Sequence, residues 1–314
     1  MTSVKFSAGL AVVVTLGAIC LLRAQQPQNF DNVQIQVLHV QGNVYMLAGA
    51  GGNITLQVGK EGVLMVDTEY AQLAPKIMAE IRKISTGPIR YIINTHVHPD
   101  HVGGNAAFAT MIPQDPANPL KIIAHGNVLN RMTTPVGKET PPPQPGLPED
   151  EYFTPFKDLR FNGEAIIIYH EPKAHTDGDS VVLFRASDVV SAGDIFTPGG
   201  YPFLDLERGG SVEGEIAALN HILELTVPGH TEEGGTYVIP GHGRISDEAD
   251  VVEFRDMVVI IRDRIQDMIK KGMTLEQVKA ARPTRDYDTE YVSKNSFITA
   301  DRFTEAIYKS LSNK

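Results

Sequence analysis

The stretch Tyr91-Ile92-Ile93-Asn94-Thr95-His96-Val97-His98-Pro99-Asp100-His101-Val102-Gly103-Gly104-Asn105 puts three imidazoles and a carboxylate within six residues, straight after an apolar run. The run reads as a buried strand, and side chains along extended chain alternate faces, so His96 and His98 point the same way and can grip one cation. Pro99 forces a turn that lets Asp100 and His101 reach a second cation beside the first. Gly103-Gly104 then supplies a tight turn into a helix starting near Asn105. Incidental surface histidines need no such spacing, so the pattern predicts a two-metal site.

Three more donors stand where strands run out into loops: His175 in Lys173-Ala174-His175-Thr176, Asp194 in Ala192-Gly193-Asp194, and His242 in Pro240-Gly241-His242-Gly243. Divided evenly, His96, His98 and His175 serve one metal, and Asp100, His101 and His242 the other. Asp194 can bridge them, because a carboxylate has two oxygens. Nitrogen and oxygen donors without thiolate suit two Zn2+ per chain and also permit iron or manganese.

The compartment is read from the other end of the chain. Lys5 precedes an apolar stretch from Phe6 to Leu22, and Arg23-Ala24-Gln25 offers a small residue for cleavage, so residues 1–24 read as a secretory signal leading to the periplasm or outside the cell. The stretch also borders on spanning length, which leaves an uncleaved amino-terminal anchor as the alternative. Cys20 is the only cysteine, and Ile19 before it is too large for a lipoprotein signal. Residues 25–314 therefore contain no disulfide, and their stability must come from apolar burial. Loss of Lys5 and Arg23 takes the formal net charge from −10 to −12, which argues against nucleic acid or an anionic membrane as partner after signal cleavage and leaves a small-molecule substrate.

From Val33 to Val66, short β-rich runs at 33–37, 44–47, 54–58 and 63–66 are separated by glycine-rich turns and read as an antiparallel meander. Leu73, Ile77, Met78, Ile81 and Ile84 then fall at helical spacing, and strands and helices alternate from there. Further strands are predicted at 121–124, 165–169, 180–184, 189–191 and 237–239, with a helix around 213–225. So many strands need two packed sheets with helices outside. Phe254, Met257, Val258, Ile261, Ile265, Met268 and Ile269 make one apolar helical face that Gly272 ends. Thr274 with Gln277 forms a capping box for a short helix, and Phe303, Ile307 and Leu311 stripe a last one. The predicted organisation is a catalytic domain over 25–247 with a helical region, 248–314, packed on it.

Two segments break this pattern. Thr133–Pro155 is crowded with prolines and reads either as a semi-rigid lid or as a surface insertion without a role. Thr197–Gly210 carries Tyr201, Phe203 and Leu204, which either line a pocket or pack on the core. Gly49-Ala50-Gly51-Gly52-Asn53 lacks the lysine of a phosphate loop and reads as a flexible hairpin tip near the active-site mouth. Of the histidines outside the motifs, His170 and His230 are expected to border the pocket.

The order His-x-His-x-Asp-His, lone His, Gly-Asp and Gly-His-Gly closely resembles the metallo-β-lactamase-fold hydrolases, and Val66-Asp67-Thr68 resembles the first motif of that family. The resemblance spans about residues 30–245. It implies an α+β fold, a four-layer αβ/βα sandwich, with metals at one edge between the sheets. The presence of both His101 and Asp194 resembles the glyoxalase II and lactonase type of site. The best-known metallo-β-lactamases have cysteine where Asp194 stands.

On this resemblance the expected activity is that of a dinuclear zinc hydrolase, whose metal-bridging hydroxide attacks the carbonyl of an ester, thioester, lactone or lactam. Metal coordination lowers the pKa of water from about 15.7 to about 7. The metal on His96, His98 and His175 would polarise the electrophile's oxygen and the second would hold the leaving group. Asp100 would orient the nucleophile and shuttle its proton. Asp67 either fixes an imidazole ligand's tautomer from behind or caps the next helix as a turn residue. The alternatives are a periplasmic metallo-β-lactamase acting on β-lactam antibiotics, an iron-dependent oxidoreductase of the sulfur dioxygenase kind, and a non-catalytic, metal-stabilised binding protein of the envelope.

Overall fold

A computed structural model describes residues 29–113, 115–134, 144–229, 234–292 and 297–312. The segment expected to be a signal, His230 and most of the proline-rich stretch before Gln144 lie outside these residues. Among the described residues, no helix is long and apolar enough to cross a membrane.

Val33–Lys314 is one compact unit built on two sheets. The first contains β1 (Gln36–Gln41), β2 (Val44–Ala48), β3 (Ile54–Gly59), β4 (Gly62–Val66), β5 (Ile89–Ile93), β6 (Lys121–His125) and β7 (Asp150–Tyr152), in that spatial order. β1 to β4 form the antiparallel meander, and β4 to β7 run parallel. Parallel strands need covered crossovers, and α1 (Ala74–Ile84), α2 (Pro99–Val102) and α3 (Asn105–Met111) lie within the connections from β4 to β6. β4 is buried at every position, as a strand covered on both faces should be. α4 (Gly126–Thr133) follows β6, with the His125 ring accepting the amide of Asn127 as its cap.

The second sheet contains β8 (Phe156–Phe161), β9 (Glu164–Glu171), β10 (Asp179–Phe184), β11 (Val189–Gly193) and β12 (Tyr237–Pro240), with β12 joining β11 in parallel after α5 (Val212–Leu225). Val44, Met46, Leu64, Val66, Ile93 and Ile123 of the first sheet meet Ile166, Ile168, Val182, Phe184, Val189 and Ile239 of the second in a shared apolar layer. The other face of the second sheet presents Val181, Val190, Ala192 and Val238 to α5, α6 (Glu248–Lys270), α7 (Leu275–Ala281), α8 (Asp288–Tyr291) and α9 (Ala300–Ser312). On the first sheet, Met65, Ile92 and Ile122 alternate outward yet are buried, and α1 turns buried Ala74, Ile77 and Ile81 inward. The fold is therefore α+β, helices outside two central sheets, with helices at the carboxyl end.

The helix ends follow local chemistry. Asp247 with Asp250, and Thr274 with Gln277, form reciprocal capping boxes at the starts of α6 and α7. The strands depart from expectation at the sheet edges. β1 begins at Gln36 rather than Val33, and its exposure on both faces makes pairing with β2, not apolar alternation, decide its register. β7 emerges from the proline-rich stretch, and β8 carries exposed Phe156, Asp158 and Arg160 on one face, so neither has an apolar signature. Asn162 and Gly163, both at positive φ, close the β8–β9 hairpin.

Candidate metal centre

Every predicted donor arrives from the end of a strand. His96 and His98 follow β5, and His98 occupies the cap position of α2, with Pro99 as its first residue, so that Asp100 and His101 turn back toward the sheet edge. His175 lies between β9 and β10, Asp194 directly after β11, and His242 after β12. The structure brings all seven together. Donor atoms of His96, His98, His175 and Asp194 lie within 4.8 Å of one another, as do those of Asp100, His101 and His242.

Asp194 faces both groups with different oxygens. Its Oδ2 is 3.8 Å from His96 Nε2 and 3.7 Å from His175 Nε2. Its Oδ1 is 3.1 Å from His101 Nε2 and 3.5 Å from His242 Nε2. Asp100 Oδ2 is 3.3 Å from His242 Nε2. The space beside Asp194 requires glycine at 241, since a Cβ there would come within 2.0 Å of Asp194 Oδ1.

The outer nitrogen of each buried imidazole is committed to a hydrogen bond. His98 Nε2 donates to Asp205 Oδ2 at 2.8 Å, and His101 Nδ1 donates to Asp67 Oδ2 at 2.7 Å. His175 Nδ1 donates to the carbonyl of Phe203. Thr95 gives its hydroxyl proton to Asp67 Oδ2 and therefore accepts from His96 Nδ1 at 3.0 Å. Hydrogen-bonding assigns the tautomers, leaving His96 Nε2, His98 Nδ1, His175 Nε2 and His101 Nε2 as lone pairs aimed inward. Two of these, His98 Nδ1 and His175 Nε2, are 2.9 Å apart. Facing lone pairs at that distance repel unless a cation lies between or beside them. His96 Nε2 and Asp194 Oδ1 are moreover buried without a hydrogen-bond partner among the described residues. The donor set thus fits divalent cations.

The electrostatics without cations express the same crowding. Burial, then the neighbouring His101, keeps His96 well below the usual imidazole range, and burial with His98 pulls His175 down to about 4. Burial also disfavours charge on His101, but without cations the carboxylates of Asp194 and Asp67 outweigh it and hold that imidazole well above its ordinary value, so a proton takes the Nε2 position that a bound cation would displace. Asp194 moves the opposite way: burial raises it, and His101 and His242 pull it well below the carboxylate range.

Asp67 binds the back of His101 and the Thr95 amide, at 2.8 Å, rather than a helix end. It does so from a left-handed backbone, φ 65°. Asp205, the Phe203 carbonyl and Thr95 were not singled out by their sequence context, since only the folded loops place them beside imidazoles.

The centre opens into a cleft of about 680 Å³. Tyr70, Phe203, Phe297 and Ile298 supply apolar wall, Arg208 a cation held by Asp205 at 2.8 Å. Of the loop 197–210, Tyr201 and Phe203 line the cleft, while Leu204 is buried in the helical core. His170 does not border the cleft: it stacks on His125 at 3.5 Å and donates to the carbonyl of Asp177. The glycine loop is not a loose tip either, because Gly52 N donates to Asp100 O at 3.0 Å and Asn53 N to Gly241 O at 2.7 Å.

A family model described as the metallo-beta-lactamase superfamily matches residues 47–244. Over 75 residues the chain is 40% identical to a linear primary-alkylsulfatase of Pseudomonas sp. (strain ATCC 19151), a match covering 24% of this chain and 14% of that protein. The stereoselective inverting sec-alkylsulfatase Pisa1 from Pseudomonas sp. superposes with a TM-score of 0.67 at 16% identity, covering 88% of this chain and 50% of that one. A metallo-beta-lactamase from Pontibacter korlensis superposes with a TM-score of 0.56 at 15% identity, covering 72% and 99%. The chain thus spans half the length of the Pisa1 structure and a smaller part of the linear alkylsulfatase.

Proposed function

Because the chain belongs to the metallo-beta-lactamase superfamily, we propose that it is a hydrolase of small-molecule esters, thioesters, lactones or lactams that works with two zinc ions. The observation that carries this reading is the set of inward lone pairs fixed by outer hydrogen bonds, with Asp194 presenting one oxygen to each group. His96, His98, His175 and Asp194 would hold one cation, and Asp100, His101, His242 and Asp194 the other. When bound, the cations supply a Lewis acid for the electrophile's oxygen and a water acidified to a pKa of about 7.

The chain's own residues set the geometry of that chemistry. Asp67, Thr95, Asp205 and the Phe203 carbonyl fix ring orientation, so no imidazole must reorganise when charge develops. Asp100 stands at the cleft, where burial opposes its charge but the hydrogen bond with His242 and the field of His101 keep its carboxyl below the ordinary range. It is thus ionised at neutral pH and would accept the proton of the attacking water and pass it to the leaving group. Nitrogen and oxygen donors without thiolate support zinc. The lysine-led apolar stretch at the amino terminus supports a periplasmic or secreted location.

A second reading, cleavage of a sulfate ester, is favoured by the local 40% identity to a linear primary-alkylsulfatase. The same donors would then serve a sulfur rather than a carbon electrophile. A screen of the zinc-loaded chain against carboxylate esters, thioesters, lactones, a chromogenic cephalosporin and alkyl sulfates, run with and without chelator, tests both. Chelator-sensitive turnover of one class is expected. A chain that purifies with iron and hydrolyses none of them contradicts the reading.

A further inference from the structure

Glu69 is wholly buried, stands in the left-handed region at φ 52°, and is not among the metal donors. A non-glycine residue keeps such a backbone only where its surroundings over-determine it. Its Oε2 accepts the amide of Gly51 at 2.9 Å and that of Ala50 at 3.2 Å, while Oε1 is buried with no hydrogen-bond partner among the described residues. The carboxylate therefore ties down the glycine loop between β2 and β3.

That loop meets the backbone of Asp100, the ring of His101 and the residues on either side of His242. Gly52 N donates to the Asp100 carbonyl at 3.0 Å, and a Cβ on Gly52 would lie 2.3 Å from the His101 ring. Asn53 N donates to Gly241 O at 2.7 Å, and Asn53 Nδ2 donates to Pro240 O at 3.0 Å and Gly243 O at 3.1 Å. These bonds frame His242, whose side chain is 41% exposed whereas those of His96 and His101 are at most 1% exposed. His242 thus depends on its backbone for position. Among the described residues, the glycine loop makes no hydrogen bond to His98 or His175, which are held instead by Asp205 and by the carbonyl of Phe203.

We infer that Glu69 is a positioning residue that latches the glycine loop against Asp100, His101 and His242 and so sets the affinity of that group for its cation. The inference rests on the two-cation reading above. It predicts selectivity: loosening the latch weakens one cation and spares the other.

Equilibrium zinc titration of the purified chain against a chromogenic chelator tests this. The wild-type chain is expected to take two equivalents. Glu69→Ala should keep the first and bind the second about 10- to 100-fold more weakly, the usual effect of losing an outer support. Glu69→Gln, whose amide oxygen still accepts from Ala50 and Gly51, should restore most of it. Asn53→Ala should reproduce the selective loss without touching the Glu69 backbone, and it keeps the test available should Glu69→Ala misfold. A single equivalent in the wild type contradicts the two-cation reading and the latch with it. Two equivalents in the wild type, with both variants unchanged or with both cations weakened alike, overturn the latch alone.

Discussion

His98 and Asp205 lie on loops 107 residues apart and meet through Nε2 and Oδ2 at 2.8 Å. That bond commits the outer nitrogen as donor and leaves Nδ1 as the ring's one inward lone pair. Burial works against the charge of Asp205, but His98 and Arg208 together pull its carboxyl well below the ordinary range, so it stays an acceptor at every working pH. Asp205→Ala should therefore free the His98 ring and weaken the cation on His96, His98 and His175 by about 10- to 100-fold. Zinc competition measures it, and an unchanged first equivalent would refute this role.

Asp67 serves His101 in the same way, with Thr95 as a second client at 2.7 Å. Asp67→Asn keeps the size of the side chain and tolerates its positive φ, so what changes is the charge behind the ring and one of the two acceptor oxygens, which becomes a donor. Hydrolytic kcat should fall by about 10- to 100-fold while far-ultraviolet dichroism stays constant. A variant with full kcat would mean that the His101 tautomer needs no carboxylate.

The donors were legible because they cluster in sequence or sit beside Gly-Asp and Gly-His-Gly turns. Their supports were not. Asp205 sits in a loop without periodicity, the Phe203 contact is made by a carbonyl and carries no side-chain signal, and Glu69 looks like an ordinary surface acid after Thr68. Strand assignments slipped or failed where burial did not apply: β1 is exposed on both faces over its first four residues, β8 exposes one face, and β7 is a three-residue edge. The inner strands and α1, α5 and α6 were readable because each buries a periodic apolar face.

Phe254 of α6 is fully packed and meets Phe196 edge-on at 5.3 Å between ring centres. Phe254→Ala should cost about 3–5 kcal/mol of stability, read from urea midpoints. A cost below about 1 kcal/mol would mean that the carboxyl-terminal helices contribute little to the core.

Glu215 of α5 is buried with neither oxygen hydrogen-bonded among the described residues. Burial, then Asp179 and Asp194, pushes its carboxyl well above the usual value. Folding therefore takes up a proton here, so this residue's contribution is most favourable below about pH 4.5 and is lost as pH rises toward the folded-state value. Glu215→Gln removes that dependence. Its stability gain over wild type should be larger at pH 8 than at pH 5 in urea titrations, and an equal gain at both would show that Glu215 is not protonated on folding.

Anomalous diffraction at the zinc edge, on crystals of the zinc-loaded chain, tests the central claim most directly. Two peaks are predicted about 3.5–4 Å apart, with Asp194 between them, one against His96, His98 and His175 and the other against Asp100, His101 and His242. A single peak, or density remote from Asp194, would contradict the account.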